Sequence, residues 1–398
     1  MKKKIVIVVC LVFHCYLEIK MRLVRKKKKI RFGFVLQNLP QWKTEMLYKY
    51  MQSHPRFEPV LCITPNIYGF GTEKVLEDYC KSKGYDYVLL SPEKSIKQQV
   101  KLDLLMHQKP YQREIHAAHR IERNRSIPMV VILYYLSTFT ENWVVNQKNN
   151  LLCWRQFVDN ASCVKDWKRI QWLKGRNYAV TGVPFMDELC LPKEAFADVW
   201  KCKDSRKRIV YAPHHTIADW HWKGVGYSTF LDYCQFMLEM RDKYGKQAYF
   251  VFKPHPMLYG KLMEYWGKEK TMEYYSAWDQ PGNSNVESGD YVSLFKYSDA
   301  LIHDCGSFTV EYMYTGNPVM YLDRDDDHSK NMISYAKEAY ELHYHAKTKE
   351  DIEQFILNVI KGEDVLKEKR NEYKERNLVP PHGKTACENI VDVILGVK

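Results

Sequence analysis

Three stretches of the chain carry side chains able to do chemistry, and each follows an apolar run. In Ser298-Asp-Ala-Leu-Ile-His-Asp-Cys-Gly-Ser-Phe-Thr-Val-Glu311, the apolar stretch Ala300–Ile302 enters a polar turn and then a helix closed by Gly316-Asn317-Pro318. A strand-to-helix turn of this kind directs free backbone N–H groups and the positive end of a helix dipole at one spot, which suits a phosphate or diphosphate. Asp304, Gly306, Ser307 and Thr309 are the candidate binding residues of the turn. Glu311, one helical turn on, is placed to accept from ribose hydroxyls. The plainer alternative makes Ser307 an N-cap and Glu311 a first-turn acid that favours the dipole.

A second stretch, Val210-Tyr-Ala-Pro-His-His-Thr216, delivers His214 and His215 at the end of an apolar run. The third, Val251-Phe-Lys-Pro-His-Pro256, delivers Lys253 and His255, with Pro254 and Pro256 stiffening the histidine between them. Three strand ends thus aim His, Lys and hydroxyl groups at one crevice. The chemistry they suit is transfer at a phosphorus or anomeric centre. A histidine with a pKa near neutrality, one of His214, His215 and His255, takes a proton from an attacking hydroxyl, while Lys253 and a second histidine neutralise diphosphate charge.

Other chemistries lack their motifs. There is no G-x-x-x-x-G-K-[S/T] loop, and no G-x-G-x-x-G follows a strand, which argues against nicotinamide chemistry. The run Asp323, Asp325, Asp326, Asp327, His328 reads as a polar loop after the strand Val319–Leu322 rather than a divalent-metal site. No metal site is assigned and no cofactor is required; a divalent ion could assist, but His, Lys and the helix terminus already supply positive charge.

The elements that must position these groups follow the βαβ rhythm of a parallel sheet covered by helices. In the first half Phe32–Leu36, Pro59–Ile63, Tyr87–Leu90, Met129–Tyr134 and Tyr178–Val180 read as strands, with helices at Thr44–Ser53 and Glu73–Lys83. In the second, Arg208–Tyr211, Ala248–Phe252, Ala300–His303 and Val319–Leu322 read as strands, with helices at Thr229–Tyr244 and Asp351–Lys361. Asp364–Asn377 reads as a solvated helix and Gly383–Leu395 as a final amphipathic one. The expected architecture is α/β, two Rossmann-like domains facing across a cleft, with ligand at the carboxyl ends of the strands. The charged stretch Pro192 to Arg208 sets the boundary, giving an extension (1–29), a first domain (30–191) and a second domain (192–398) that includes the final helix.

Composition bounds the partners. The chain has 398 residues, 45% hydrophobic, which is enough for two cores. Of the formal charge of +12, residues 1–32 hold eleven Lys/Arg against Glu18 alone, so the body is nearly neutral and lacks the footprint of a nucleic-acid binder. Eleven scattered cysteines without a C-x-x-C pair fit a reduced, cytoplasmic compartment. Lys2 to Lys4 followed by Ile5 to Phe13 imitates a signal peptide, yet no small-residue cleavage site follows and the run is too short to span a bilayer. It reads either as a basic, partly apolar segment touching anionic lipid on the inner face of the membrane or as an unstructured extension. Trp143, Trp154, Trp167 and Trp172 read mainly as core, with stacking against a sugar acceptor as the alternative.

In this order the motifs resemble the CDP-glycerol glycerophosphotransferase family of teichoic acid and capsular polymer synthesis, on the glycosyltransferase-B fold. Thr181-Gly-Val-Pro-Phe-Met-Asp187 matches its Gly-x-Pro-x-x-Asp segment and Tyr211-Ala-Pro213 its Tyr-Ala-Pro strand end. Lys253 to Pro256 matches the histidine-bearing strand end, Leu301 to Ser307 the Leu-Ile-x-Asp-x-x-Ser turn, and His382-Gly-Lys-Thr-Ala386 the start of the last helix. The similarity is specific over residues 177–395 and loose over 30–176. It implies a CDP-polyol donor, CDP-glycerol or a relative, held by Ser307 and neighbouring N–H groups, with Glu311 on the ribose and His255 near the diphosphate. It also implies a lipid-linked or polymeric glycan acceptor held by the first domain. The family's His-Gly-Thr-Pro segment has no histidine counterpart around Tyr134 to Asn142, so either His214 or His215 takes the role of base or the chemistry differs. Both domains fill the chain, which favours a single addition over processive polymerisation. Rivals are a nucleotide-sugar glycosyltransferase or UDP-sugar 2-epimerase of the same fold, and a catalytically inert membrane-tethered scaffold.

Overall fold

The computed structural model describes residues 2–67, 72–109, 111–140, 142–217, 228–324 and 328–397. The chain divides into two units, residues 1–188 with 379–398, and residues 189–378. The first holds a seven-stranded sheet of β1 (Ile30–Leu36), β2 (Phe57–Ile63), β3 (Tyr87–Leu89), β4 (Leu104–His107), β5 (Met129–Ile132), β6 (Arg155–Val158) and β7 (Tyr178–Val180). Their order is β3-β2-β1-β4-β5-β6-β7, with every pairing parallel. The second holds β8 (Lys207–Ala212), β9 (Ala248–Phe252), β10 (Ser284–Val286), β11 (Ala300–His303), β12 (Val319–Leu322) and β13 (Tyr344–Ala346). They run β10-β9-β8-β11-β12-β13, again all parallel. Both orders are the doubly wound Rossmann order, in which the chain reverses direction beside the first strand. Central strands covered on both faces must be largely apolar, as β9 is and as β11 is up to its last residue, His303, with every residue buried.

Four strands escape the sequence pattern: β4, β6, β10 and β13. Each is three or four residues long. Polar residues such as Gln156, Ser284 and Asn285 sit buried in them, paired through the backbone ladder rather than selected by hydropathy.

Three boundaries differ from expectation. Residues 2–25 form one long helix rather than an unstructured extension, because Cys10, Leu17, Met21 and Val24 bury a stripe against the first unit. The final helix, Ala386–Leu395, belongs to that first unit, not the second. Its capping box, Thr385 with Glu388, starts it, and buried Ala386, Ile390 and Ile394 pack inward. The charged helix Lys367–Asn377 is not fully solvated, since Arg370 is buried against Asp364 and Tyr373 donates to the Tyr335 carbonyl. All eleven cysteines are free thiols. Among the described residues no helix is long and apolar enough to cross a membrane.

Candidate functional site

The carboxyl edge of the second sheet gathers the residues singled out in the sequence. β8 and β9 pair in parallel from Lys207↔Ala248 to Tyr211↔Phe252. The ladder continues past both strands, with the Lys253 N–H on the Tyr211 carbonyl (2.8 Å) and the His255 N–H on the Pro213 carbonyl (3.0 Å). This register puts three half-buried imidazoles together: ring centres are 4.3 Å apart for His214–His215, 4.2 Å for His215–His255 and 5.1 Å for His214–His255.

Their electrostatics are set by burial. Desolvation, reinforced by the neighbouring imidazoles, holds His214 well below the usual histidine value. Desolvation, then His215 and Lys253, takes His255 down to about 3. In the free protein both rings are neutral near pH 7, lower than the near-neutral pKa expected of a general base. A bound diphosphate would raise them, since an adjacent anion favours the charged form. His255 Nδ1 accepts the Met257 N–H at 3.1 Å, so the neutral ring carries its proton on Nε2 and presents a donor. One nitrogen from each of the three rings lies within 4.8 Å of the others, a separation a metal ion could span. Ligation through His255 Nε2 would need that proton removed and the Met257 contact given up.

The turn after β11 sorts its candidates into two groups. Asp304 is fully buried and its carboxylate faces the protein: it accepts the His214 N–H (2.5 Å), the Thr229 N–H (2.7 Å) and the Thr229 hydroxyl (3.1 Å). Desolvation raises its pKa to about 6 against those hydrogen bonds. Thr309 is likewise buried, its hydroxyl donated to the Cys305 carbonyl at 3.3 Å. Both therefore shape the turn from within. Ser307 is partly exposed, has helical backbone angles and makes no side-chain capping bond, so the N-cap alternative does not describe it. Gly306 is buried beside it. The helix that follows is shorter than expected, Phe308–Glu311 running into a 3-10 turn, Tyr312–Thr315, that ends at Gly316 with φ +74°. Its dipole is correspondingly small, and the turn's own amides dominate its attraction for anions.

Glu311 is 2% exposed and accepts the Tyr291 hydroxyl at 2.7 Å. Lys253 is 6% exposed beneath His255. Sequence reasoning missed Thr229 and Tyr291. Neither stands in a motif; each reaches the site through its own element, Thr229 as the residue before the helix Phe230–Tyr244 and Tyr291 as the first residue of Tyr291–Lys296. Of the acidic run, Asp325 to Asp327 lie outside the described residues. Asp323 pairs with His345 (2.9 Å) and accepts the Tyr340 hydroxyl.

A cavity of about 630 Å³ lies at the opposite edge of the same sheet, among Arg206, Arg208, Lys296 and Asp299. Its cations are engaged in structure: Arg206 on Asp204, Arg208 on Asp198, Lys296 on the Leu189 and Leu191 carbonyls. The chemistry-bearing residues are at the other end of the strands.

Two parallel Rossmann-type sheets, with histidines and a hydroxyl-bearing turn at the carboxyl edge of the second, define an α/β fold of the glycosyltransferase-B kind. Residues 18–396 match the family CDP-Glycerol:Poly(glycerophosphate) glycerophosphotransferase, and the chain belongs to it, a family of transferases. The match begins well before the 177–395 segment where the sequence motifs are specific. Among solved structures the chain is similar to the wall teichoic acid polymerase TagF (TM-score 0.60, 13% identity, 99% of this chain and 96% of that one). It is also similar to UDP-GlcNAc 2-epimerase from Neisseria meningitidis, solved with UDP-GlcNAc (TM-score 0.56, 15% identity, 92% and 100%). A third is the S. aureus MnaA–UDP co-structure (TM-score 0.57, 15% identity, 92% and 96%). At these identities the likeness is one of fold. No curated protein matches the sequence.

Proposed function

We propose that the protein transfers glycerol phosphate, or a related polyol phosphate, from CDP-glycerol to a hydroxyl on a lipid-linked or polymeric glycan, releasing CMP. The observation that carries this reading is the clustering of His214, His215 and His255 beside the Ser307 turn at one sheet edge, in a chain of this family. The acceptor oxygen attacks the β-phosphorus of the donor. The new bond is acceptor O–P, and the bond broken joins that phosphorus to the bridging oxygen, which leaves on CMP. The acceptor proton passes to His214 or His215, whose basicity rises when the diphosphate is bound. His255 Nε2–H and Lys253 donate to the diphosphate, Ser307 and the first-turn amides hold it, and Glu311 takes the ribose hydroxyls. Asp304 and Thr309 act as positioning residues. No divalent ion is needed for this scheme. An acceptor carried on lipid places the work at the cytoplasmic face of a membrane.

The TagF structures include a variant soaked with CDPG, which supports a CDP-linked donor for this fold. The epimerase neighbours favour a second reading, a UDP-sugar enzyme. Calorimetric titration with CDP-glycerol and, in parallel, UDP-N-acetylglucosamine separates the two. Binding of the CDP ligand alone, followed by CMP release on adding a glycan-lipid acceptor, supports phosphotransfer. Binding of the UDP-sugar alone rejects it.

A further inference from the structure

The N-terminal helix, Lys2–Arg25, has two apolar faces, and the fold uses only one. The inner face is clamped to the first unit. Cys10 packs with Leu151 and Leu173, His14 Nε2 meets the Leu151 carbonyl at 2.9 Å, and Arg25 donates to the carbonyls of Ile394 and Val393. The helix's single acid, Glu18, also turns inward, accepting the Trp154 indole N–H (3.1 Å) and pairing with Arg155 (2.7 Å).

The outer face carries Ile5, Val8, Val12, Tyr16, Ile19 and Leu23, between 40% and 67% exposed. Their spacing of three and four residues is that of one ridge on a helix, running most of its roughly 36 Å length. At 100° per residue all six fall within an arc of about 80°, on the side away from Cys10, Leu17 and Met21. Lys4 and Arg22 border this ridge on one flank and Lys20 on the other. Beyond the helix end, Lys26, Lys28 and Lys29 are exposed. With Glu18 engaged by Trp154 and Arg155, the charged side chains that border the ridge directly, Lys4, Lys20 and Arg22, are all cationic.

We infer that this outer face is a docking surface for an anionic lipid bilayer, with the helix lying in the headgroup plane, its ridge in the acyl boundary and its lysines among the phosphates. A second copy of the chain fits the ridge less well, because pairing two such faces would bring their cationic borders together. The anchoring contacts prevent the apolar side from turning inward, and the helix cannot span a bilayer. The inference stands on this helix alone, independent of the reaction proposed above.

The test is co-sedimentation of the full chain with phosphatidylcholine vesicles containing or lacking 30% phosphatidylglycerol, on the order of a typical anionic fraction. The triple variant Val8→Ser/Val12→Ser/Ile19→Ser alters only exposed side chains, so its circular dichroism and thermal midpoint should match those of the parent. Binding to the anionic vesicles that falls at least tenfold in the triple variant supports the assignment. Equal binding by parent and variant, or no binding by the parent, overturns it. So does a parent dimer in sedimentation velocity that the variant abolishes, which would make the ridge a self-association surface. CDP-glycerol titration of the variant should be unchanged, so a failure here is distinct from a failure of the transferase reading.

Discussion

Asp187 caps the last helix from almost two hundred residues away: its Oδ1 accepts the Ala386 N–H at 2.7 Å and its Oδ2 the Cys387 N–H at 2.9 Å. Gly182, at φ +75°, lets the same segment close up, since a Cβ there would stand 2.9 Å from the Cβ of Ala386. The Gly-x-Pro-x-x-Asp segment and the start of the final helix are thus two halves of one joint. Replacing Asp187 with Ala leaves two buried amides without acceptors and is expected to lower unfolding free energy by about 1–3 kcal/mol. CDP-glycerol affinity should stay within twofold. Denaturant unfolding followed by calorimetric titration checks both.

Ser307 and Thr309 should separate cleanly. Ser307→Ala removes a hydroxyl that makes no capping bond, so stability should hold while CDP-glycerol binding weakens about tenfold, the worth of one hydrogen bond to a charged ligand. Thr309→Val removes a buried donor to the Cys305 carbonyl and should lower the melting temperature, with a smaller change in affinity. The reverse pattern would move the donor site away from this turn.

His255 is expected to stay neutral in the free protein between pH 5 and 8, because burial takes its pKa to about 3. Its ring carbon shift in a histidine-labelled NMR spectrum should be flat over that range and move only when CDP-glycerol is added. A midpoint near 6.5 without ligand would contradict the desolvated geometry.

Acid should destabilise the fold. His107 and His303 are fully buried, and desolvation lowers both to about 3. An unfolded histidine takes a proton near 6.5, so the unfolded state binds more protons below that pH. Stability from these groups is complete above pH 6.5 and is lost as pH falls, by about 1.4 kcal/mol per unit per ring. Asp304, raised to about 6, acts in the opposite sense between about pH 6 and 4, because the folded state then holds a proton that the unfolded state does not. It offsets one ring. The expected net is a melting temperature several degrees lower at pH 5 than at pH 7.5, read by calorimetry.

Removing divalent ions should not abolish transfer. With its proton held on Nε2, His255 presents a donor rather than a ligand. CMP release measured in EDTA is expected within about twofold of that in magnesium, and a complete loss restored by zinc would reassign the three histidines as a metal centre.

The long apolar strands and the three strand-end motifs were legible because hydropathy and chain punctuation announce them: β9, β11 and the Pro-bracketed His255 needed no tertiary information. What escaped depends on partners distant in sequence. The strands β6 and β10 are polar stretches recruited by neighbouring backbone edges. Asp304 looked like a ligand residue because its type fits one, but its direction is set by Thr229, 75 residues earlier. The N-terminal helix was hidden by having apolar residues on both faces, which blurs the contrast that marks an amphipathic helix.

Asp304 also makes one carboxylate answerable for two elements. Its two oxygens hold the chain at His214 and again at Thr229, and the Ser228 N–H meets the Thr216 hydroxyl at 3.4 Å between them. The stretch that follows β8 and the residue before the helix Phe230–Tyr244 are thereby fastened to the same buried side chain. Loss of the carboxylate at position 304 would release both at once, so the histidine cluster and the start of that helix share a single point of failure.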